Sequence, residues 1–206
     1  MALQSNEGEN NMAKILVLNA PPHSGKDTIG GLVKDESPVP LRMMSFKAPM
    51  FEIALAMLGP VKYRQFIEAY NDRSQKEKAQ DFLNGKSPRQ FMIWISEDVI
   101  KPRFGNGYFG KRFAEDAELN DIPIICTDGG FPDEIIELIR GGHEVKLCRL
   151  HRKGYTFDGD SRDYIRISSA KDNVSGYCEY DYYLTDGDPM LTVKEIIRDH
   201  LNSTNC

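Results

Sequence analysis

Lys14-Ile15-Leu16-Val17-Leu18-Asn19-Ala20-Pro21-Pro22-His23-Ser24-Gly25-Lys26-Asp27-Thr28 is the stretch that decides the fold. Its first six residues form a short, almost wholly apolar run, the pattern of a buried strand. The next nine nearly match the phosphate-binding loop, which is written as Gly, four residues, then Gly-Lys-Ser/Thr. Ala20 holds the first Gly position, and Gly25 and Lys26 fit. Asp27 stands where a hydroxyl residue is expected, with Thr28 one place later. Thr28 onward reads as a helix, so the loop lies at the strand-to-helix turn that the motif requires.

Such a turn has a definite chemistry. Its backbone N–H groups, together with the unpaired N–H groups of the helix that follows, form a nest for phosphate oxygens. Pro22, His23, Ser24, Gly25, Lys26, Asp27 and Thr28 are therefore the candidate nucleotide-binding residues. Gly25 allows close backbone approach, and Lys26 would bridge the outer phosphates as a point charge. Magnesium prefers hard oxygen ligands, so Asp27 or Thr28 would help to hold it. An ordinary turn, with Asp27 merely favouring the helix N-terminus, is the plainer alternative. His23 either faces the phosphates or is a solvated loop histidine.

Outward from the loop, strands and helices alternate. This pattern argues for an α/β fold with a mainly parallel sheet. Leu41–Phe46 reads as a second strand, Ile122–Thr127 as the most central one, Glu144–Arg149 as the next and Tyr180–Leu184 as the last. Helices are expected over 48–58, from 87 through 100, around 109–119, over 131–140 and over 191–201. The charged stretch 61–85 reads as solvated helix and loop, and Phe91 and Trp94 have the spacing of a helical core. The polar stretch 151–173 suits a mobile lid.

Ligands of open parallel sheets gather at the carboxyl ends of the strands. Asp128 falls there, where it could orient metal-bound waters or accept from a hydroxyl. It could also be a turn residue before Gly129-Gly130. Two cationic clusters flank this position: Lys47, Arg89, Lys101 and Arg103 before it, and Arg149, Arg152, Lys153, Arg162 and Arg166 after it. Tyr108 and Phe109 could stack on a base or simply pack.

Composition narrows the classes. The chain has 206 residues, enough for one compact core with a small inserted lobe. Its formal net charge of −5 disfavours a sequence-independent nucleic-acid binder. No apolar stretch approaches the ~20 residues of a membrane span. Residues 1–12 read as a disordered tail without signal-peptide character, and Met12 is an alternative start. Cys126, Cys148, Cys178 and Cys206 have no zinc or redox spacing, and the first two lie in apolar runs. Reduced thiols and a cytoplasmic protein are the simplest reading.

Several of these segments together resemble the deoxynucleoside monophosphate kinases of tailed bacteriophages. The resemblance rests on Ser24–Thr28, on Ser45-Phe46-Lys47, on Ser87-Pro88-Arg89 with Ser96–Gly105, on Tyr108-Phe109-Gly110, on 128–134 and on Thr185-Asp186-Gly187. It spans roughly residues 14–201. It implies a P-loop kinase fold of three layers, with an acceptor-binding lobe over 47–120 and a lid over 150–175, inside one domain over 13–206. It implies transfer of the terminal phosphate of ATP to a deoxynucleoside monophosphate, with Mg2+, in the cytoplasm of a phage host.

Carried over by position, Lys26 would stabilise the transferring phosphoryl group. Arg89 and Arg103 would grip the acceptor phosphate, with Lys47, Lys101, Tyr108 and Asp128 on the substrate side. Arg149 and Arg162 would close from the lid, and Asp186 and Gly187 would lie against the donor base. The partners so implied are small molecules rather than nucleic acid or membrane, and a homodimer is compatible with them. The chain also departs from the family. Gly130 stands where an Arg often follows the acid, and Asp133 stands where a similar Asp-Gly-Phe-Pro-Arg run of adenylate kinases has Arg. A kinase of another small metabolite and a non-catalytic nucleotide switch are the competing readings. The switch reading has little in its favour beyond Ser169-Ala170-Lys171, a lone imitation of a guanine-contact triplet.

Overall fold

The computed structural model describes residues 11–119, 121–167 and 176–202. The expected N-terminal tail over residues 1–10, the Ser169-Ala170-Lys171 triplet and the end of the expected lid lie outside them. The chain divides into two compact units, Met1–Phe46 with Gly110–Cys206, and Lys47–Phe109.

The first unit is built on a five-stranded, all-parallel sheet in the order β2-β3-β1-β4-β5. The strands are β1 (Lys14–Asn19), β2 (Arg42–Met44), β3 (Ile124–Cys126), β4 (Glu144–His151) and β5 (Tyr177–Tyr183). The central strand is therefore β1, and the expected central strand, β3, lies beside it. Alternation along β1 sorts the core into two layers. Ile15 and Val17 pack with Phe113, Ile135, Leu138, Val145 and Leu147. Leu16 and Leu18 pack with Ile29, Val33, Ile125, Cys148, Val193 and Ile196. Thus α1 (Lys26–Glu36) and α7 (Pro189–His200) cover one face, while α5 (Tyr108–Glu118) and α6 (Pro132–Arg140) cover the other. This is the α/β architecture with a parallel sheet expected from the alternating pattern, and its layers number three.

The second unit holds α2 (Ala48–Asn71), a 3-10 turn over Asp81–Leu83, α3 (Pro88–Trp94), a π-turn over Ile95–Ile100 and α4 (Lys101–Phe104). The expected stop at Gly59-Pro60 is a break with non-helical backbone at Gly59, and the helical part of the stretch 61–85 runs on from there to Asn71. That part differs from expectation only in that it is not wholly solvated. The reason is Phe66, which is fully buried, with Tyr63, Ile67 and Tyr70 packing at helical spacing beside it. The charges of 61–71 only decorate an amphipathic helix. Phe91 is buried and Trp94 packs against the same cluster, as their spacing implied.

Among the described residues no helix is long and apolar enough to cross a membrane. Cys126 and Cys148 are free and buried, as expected. Cys178 is disulfide-bonded, which corrects the expectation that all four thiols are reduced.

Candidate functional site: the phosphate-loop end of the sheet

β1 delivers the chain to its turn at the switch point of the sheet, between β3 and β4. Connections leave there in opposite directions, the place where ligands of open parallel sheets bind. The turn is compact. Ser24 N–H and Ser24 Oγ both donate to the Pro21 carbonyl, at 3.4 and 2.8 Å. Ser24 is thus a buried strut, and any contact it makes to a phosphate would come through its backbone.

His23 and Gly25 take left-handed conformations, with φ of 62° and 98°. Gly25 is the N-cap of α1, and its carbonyl accepts from Ile29 N–H at 3.0 Å. Ala20 is buried and has no positive φ. The missing first Gly is thereby explained: here the left-handed turn is made at His23 and Gly25, and Ala20 needs no glycine freedom.

Lys26 opens α1, and Asp27 and Thr28 follow in its exposed first turn. These hard oxygen donors fit magnesium held jointly with phosphate oxygens and water. Among the described residues no group of three His, Cys, Asp or Glu forms a cage of its own.

Asp128 follows β3 and is half-buried. Its Oδ2 accepts from Ser45 Oγ at 2.6 Å, and its Oδ1 accepts from Phe46 N–H at 3.1 Å and from Cys126 Sγ at 3.0 Å. Burial and this carboxylate push the Cys126 thiol well above its ordinary pKa, so it is a donor and not a nucleophile. Asp128 therefore fastens the end of β3 to the chain leaving β2, whatever else it does.

The cations after β4 separate clearly. Arg149 is 3% exposed and still within the strand. Its Nε and Nη2 fork onto Asp181 at 2.8 Å each, and its Nη1 donates to Ile165 O and Glu179. Asp181 holds the Arg149 guanidinium far above its ordinary pKa, and Arg149 in turn holds the Asp181 carboxyl far below its own. All three of its nitrogens are engaged, so the structure shows it as an anchor between β4 and β5.

Arg152, the first residue past β4, reaches the loop instead. Its Nη1 donates to Ser24 O at 3.3 Å, and its Nε donates to Asp186 Oδ1 at 2.9 Å. Its guanidinium lies 4.8 Å from the Tyr155 ring centre. Asp186 and Gly187 sit in the turn that precedes α7, where Asp188 accepts from Leu191 N–H at 3.3 Å as its N-cap. Arg152 thus links this turn to the loop after β1, a contact spanning 128 positions. The sequence places Arg152 only within a cationic cluster.

Asn19 is a further residue that the sequence conceals inside an apolar strand. It is fully buried. Its Nδ2 donates to Gly129 O and Asp163 O at 3.3 Å each, and its Oδ1 accepts from Ile165 N–H at 3.0 Å. One amide thereby ties the ends of β1 and β3 to the segment that carries Arg162. Arg162 makes a fork onto Asp160, with Nε and Nη2 each at 2.7 Å. Asp160 raises its pKa, opposed by burial, with help from Glu134 and Asp128.

The expected acceptor-side residues Lys47, Arg89, Lys101, Arg103 and Tyr108 all belong to the second unit. Arg89 pairs with Glu77 at 3.4 Å and Lys101 with Glu97 at 2.6 Å. Arg103 Nη1 donates to the carbonyls of Val99 and Asp98 at 2.8 and 3.3 Å. These carbonyls end the π-turn just before Pro102, which has no N–H to offer. Tyr108 packs on Phe104 and Phe109 at ring separations of 5.2 and 5.3 Å.

No protein-family model matches this chain, and no curated protein matches it. Among solved structures it is similar to an unliganded sugar kinase from Janibacter sp. HTCC2649. The two share 15% identity over 92% of this chain and 95% of that one, with a TM-score of 0.42. It is also similar to a plasmid partition protein from Borrelia burgdorferi, at 12% identity over 93% of this chain and 99% of that one, with a TM-score of 0.41.

Proposed function

We propose that this chain is an ATP-dependent kinase of nucleoside monophosphates, with deoxynucleotides as acceptors. The observation that carries the reading is the loop itself. A left-handed turn at His23 and Gly25, ending in Lys26 at the start of α1, follows the central strand of a parallel sheet. Helix N–H groups and a lysine at a switch point are what a polyphosphate needs.

Phosphoryl transfer requires little covalent help from a protein. Positioning and charge stabilisation supply most of the acceleration. In this reading Lys26 neutralises charge that develops on the outer phosphates, and the loop N–H groups orient them. Arg152 guards the loop from the β4 side, and Asp186 with Gly187 borders the donor base. Magnesium, when bound near Asp27 or Thr28, would offset phosphate charge. Asp128 would accept from a hydroxyl or a metal-bound water at the end of β3. We assign acceptor binding to the second unit through Lys47, Arg89, Lys101, Arg103 and Tyr108, on the resemblance to the phage kinases. The segment 150–175 is proposed as the lid, anchored within its length where Asn19 holds Asp163 and Ile165.

The test is ADP release measured across the common deoxy- and ribonucleoside monophosphates. The reading expects acceptor-dependent release with at least one of them, larger for a deoxynucleotide. Release only with another class of acceptor would leave the donor half standing and replace the acceptor. Tight ATP binding with no transfer to any acceptor would favour a nucleotide switch.

A further inference from the structure

Gly130 is two residues past Asp128 and buried. A Cβ built on it would clash with Cδ of Arg162, with Cγ 3.0 Å away. Any residue larger than glycine would therefore push this arginine out of its place. The backbone on either side of that place is fixed as well. Asn19 holds Gly129 O, Asp163 O and Ile165 N–H with one fully buried amide. Ile165 is itself buried in the core layer below.

We infer that Gly130 and Asn19 are positioning residues that seat the Arg162 guanidinium at the carboxyl ends of β1 and β3, as a preformed contact for a phosphate oxyanion. The inference rests on the phosphate-loop reading above, and it changes how the site gains its cation. Arg162 is held in a niche cut into the end of β3 and does not need to arrive with a closing lid. In this arrangement its Nε and Nη2 hold Asp160 in a planar fork, the geometry a phosphate would also accept. That leaves Nη1 to meet an incoming oxyanion. Only hydrogen bonds are exchanged, and no covalent step is involved.

The probe is inorganic tripolyphosphate with magnesium, an anion that carries no base, titrated calorimetrically into the intact chain. Wild type is expected to bind it, and Arg162→Ala to weaken binding by about tenfold or more, the worth of one charge-assisted contact. Gly130→Ala should weaken it to a similar degree, and the double variant no further than either single one. Asn19→Asp keeps the shape but loses the two donated bonds, so it should also weaken binding. It is measured alongside, so that a misfolded Gly130 variant does not decide the matter. Wild-type affinity in folded Gly130→Ala, or in Asn19→Asp where the glycine variant fails to fold, would overturn the positioning claim, as would unchanged affinity in Arg162→Ala. A wild-type chain that does not bind tripolyphosphate would instead overturn the phosphate-loop reading, and this inference with it.

Discussion

Lys26 is the side chain on which the proposed chemistry depends most. A charge preorganised for a transition state contributes far more to turnover than to folding. Lys26→Ala should keep the melting temperature near wild type while turnover falls by about a hundredfold or more. Steady-state ADP release with a parallel melting curve checks both halves. Arg152 has a different signature. It donates to the loop carbonyl of Ser24 and to Asp186, so its truncation should loosen ATP binding more than it slows the chemical step. Arg152→Ala is expected to raise the KM for ATP by about tenfold with a smaller change in kcat. An unchanged KM would remove Arg152 from the nucleotide side. At this scale the loop was legible because its information is local: every residue of the turn lies within nine positions. Arg152 and Asn19 were not legible, because their partners lie on other strands and turns of the sheet.

Elements explain why Arg149 is taken up as an anchor while Arg152, three residues later, reaches the loop. The expected strand stops at Arg149, where a lid-side arginine would begin. The observed β4 runs two residues further, to His151, because Leu150 and His151 still pair with Tyr182 and Tyr183 of β5. Arg149 then stands directly opposite Asp181, and Leu147 opposite Glu179. Strand alternation puts these groups on one face, where Arg149 gathers both carboxylates. Removing a buried arginine strands its partners, so Arg149→Ala should lower unfolding stability by about 3 kcal/mol in urea. A loss of activity without that loss of stability would return Arg149 to a catalytic role.

Helix α3 is the opposite case, since its start was readable as Ser87-Pro88-Arg89. The structure adds a reciprocal cap: Ser87 Oγ accepts from Gln90 N–H at 3.2 Å, and Gln90 Oε1 accepts from Ser87 N–H at 2.9 Å. Ser87→Ala is expected to cost about 1 kcal/mol, read from the same denaturation curves.

Considered whole, the molecule carries a pH dependence in a place remote from the loop. His200 ends α7, and its Nε2 lies 2.7 Å from Tyr182 Oη and 3.3 Å from Cys148 Sγ. Burial, helped by Lys146 and opposed by Asp199, lowers its pKa from 6.5 to about 4. Burial lowers that of His143 in the same sense. The folded state therefore takes up these protons later than the unfolded chain does. The His200 contribution is fully present above pH 6.5 and is lost as pH falls toward about 4, and His143 acts in the same direction. Melting temperature should drop through that window, and His200→Phe should flatten the drop. An equally steep profile in that variant would assign the acid sensitivity elsewhere.

The parallel sheet and the loop at the end of β1 were legible because apolar runs alternate with helical segments along the chain, a signal each segment carries locally. The order of the strands did not follow, since pairing partners are set by packing between distant segments. The division at Lys47–Phe109 lies within the stretch that the family resemblance marks for the acceptor. The proposed donor chemistry has the loop as its centre. Acceptor-dependent ADP release, followed for wild type and Lys26→Ala side by side with ATP and a panel of nucleoside monophosphates, tests that centre directly. The account expects release by wild type with at least one acceptor, falling by about two orders of magnitude in the folded variant. Equal release by the two proteins would contradict it.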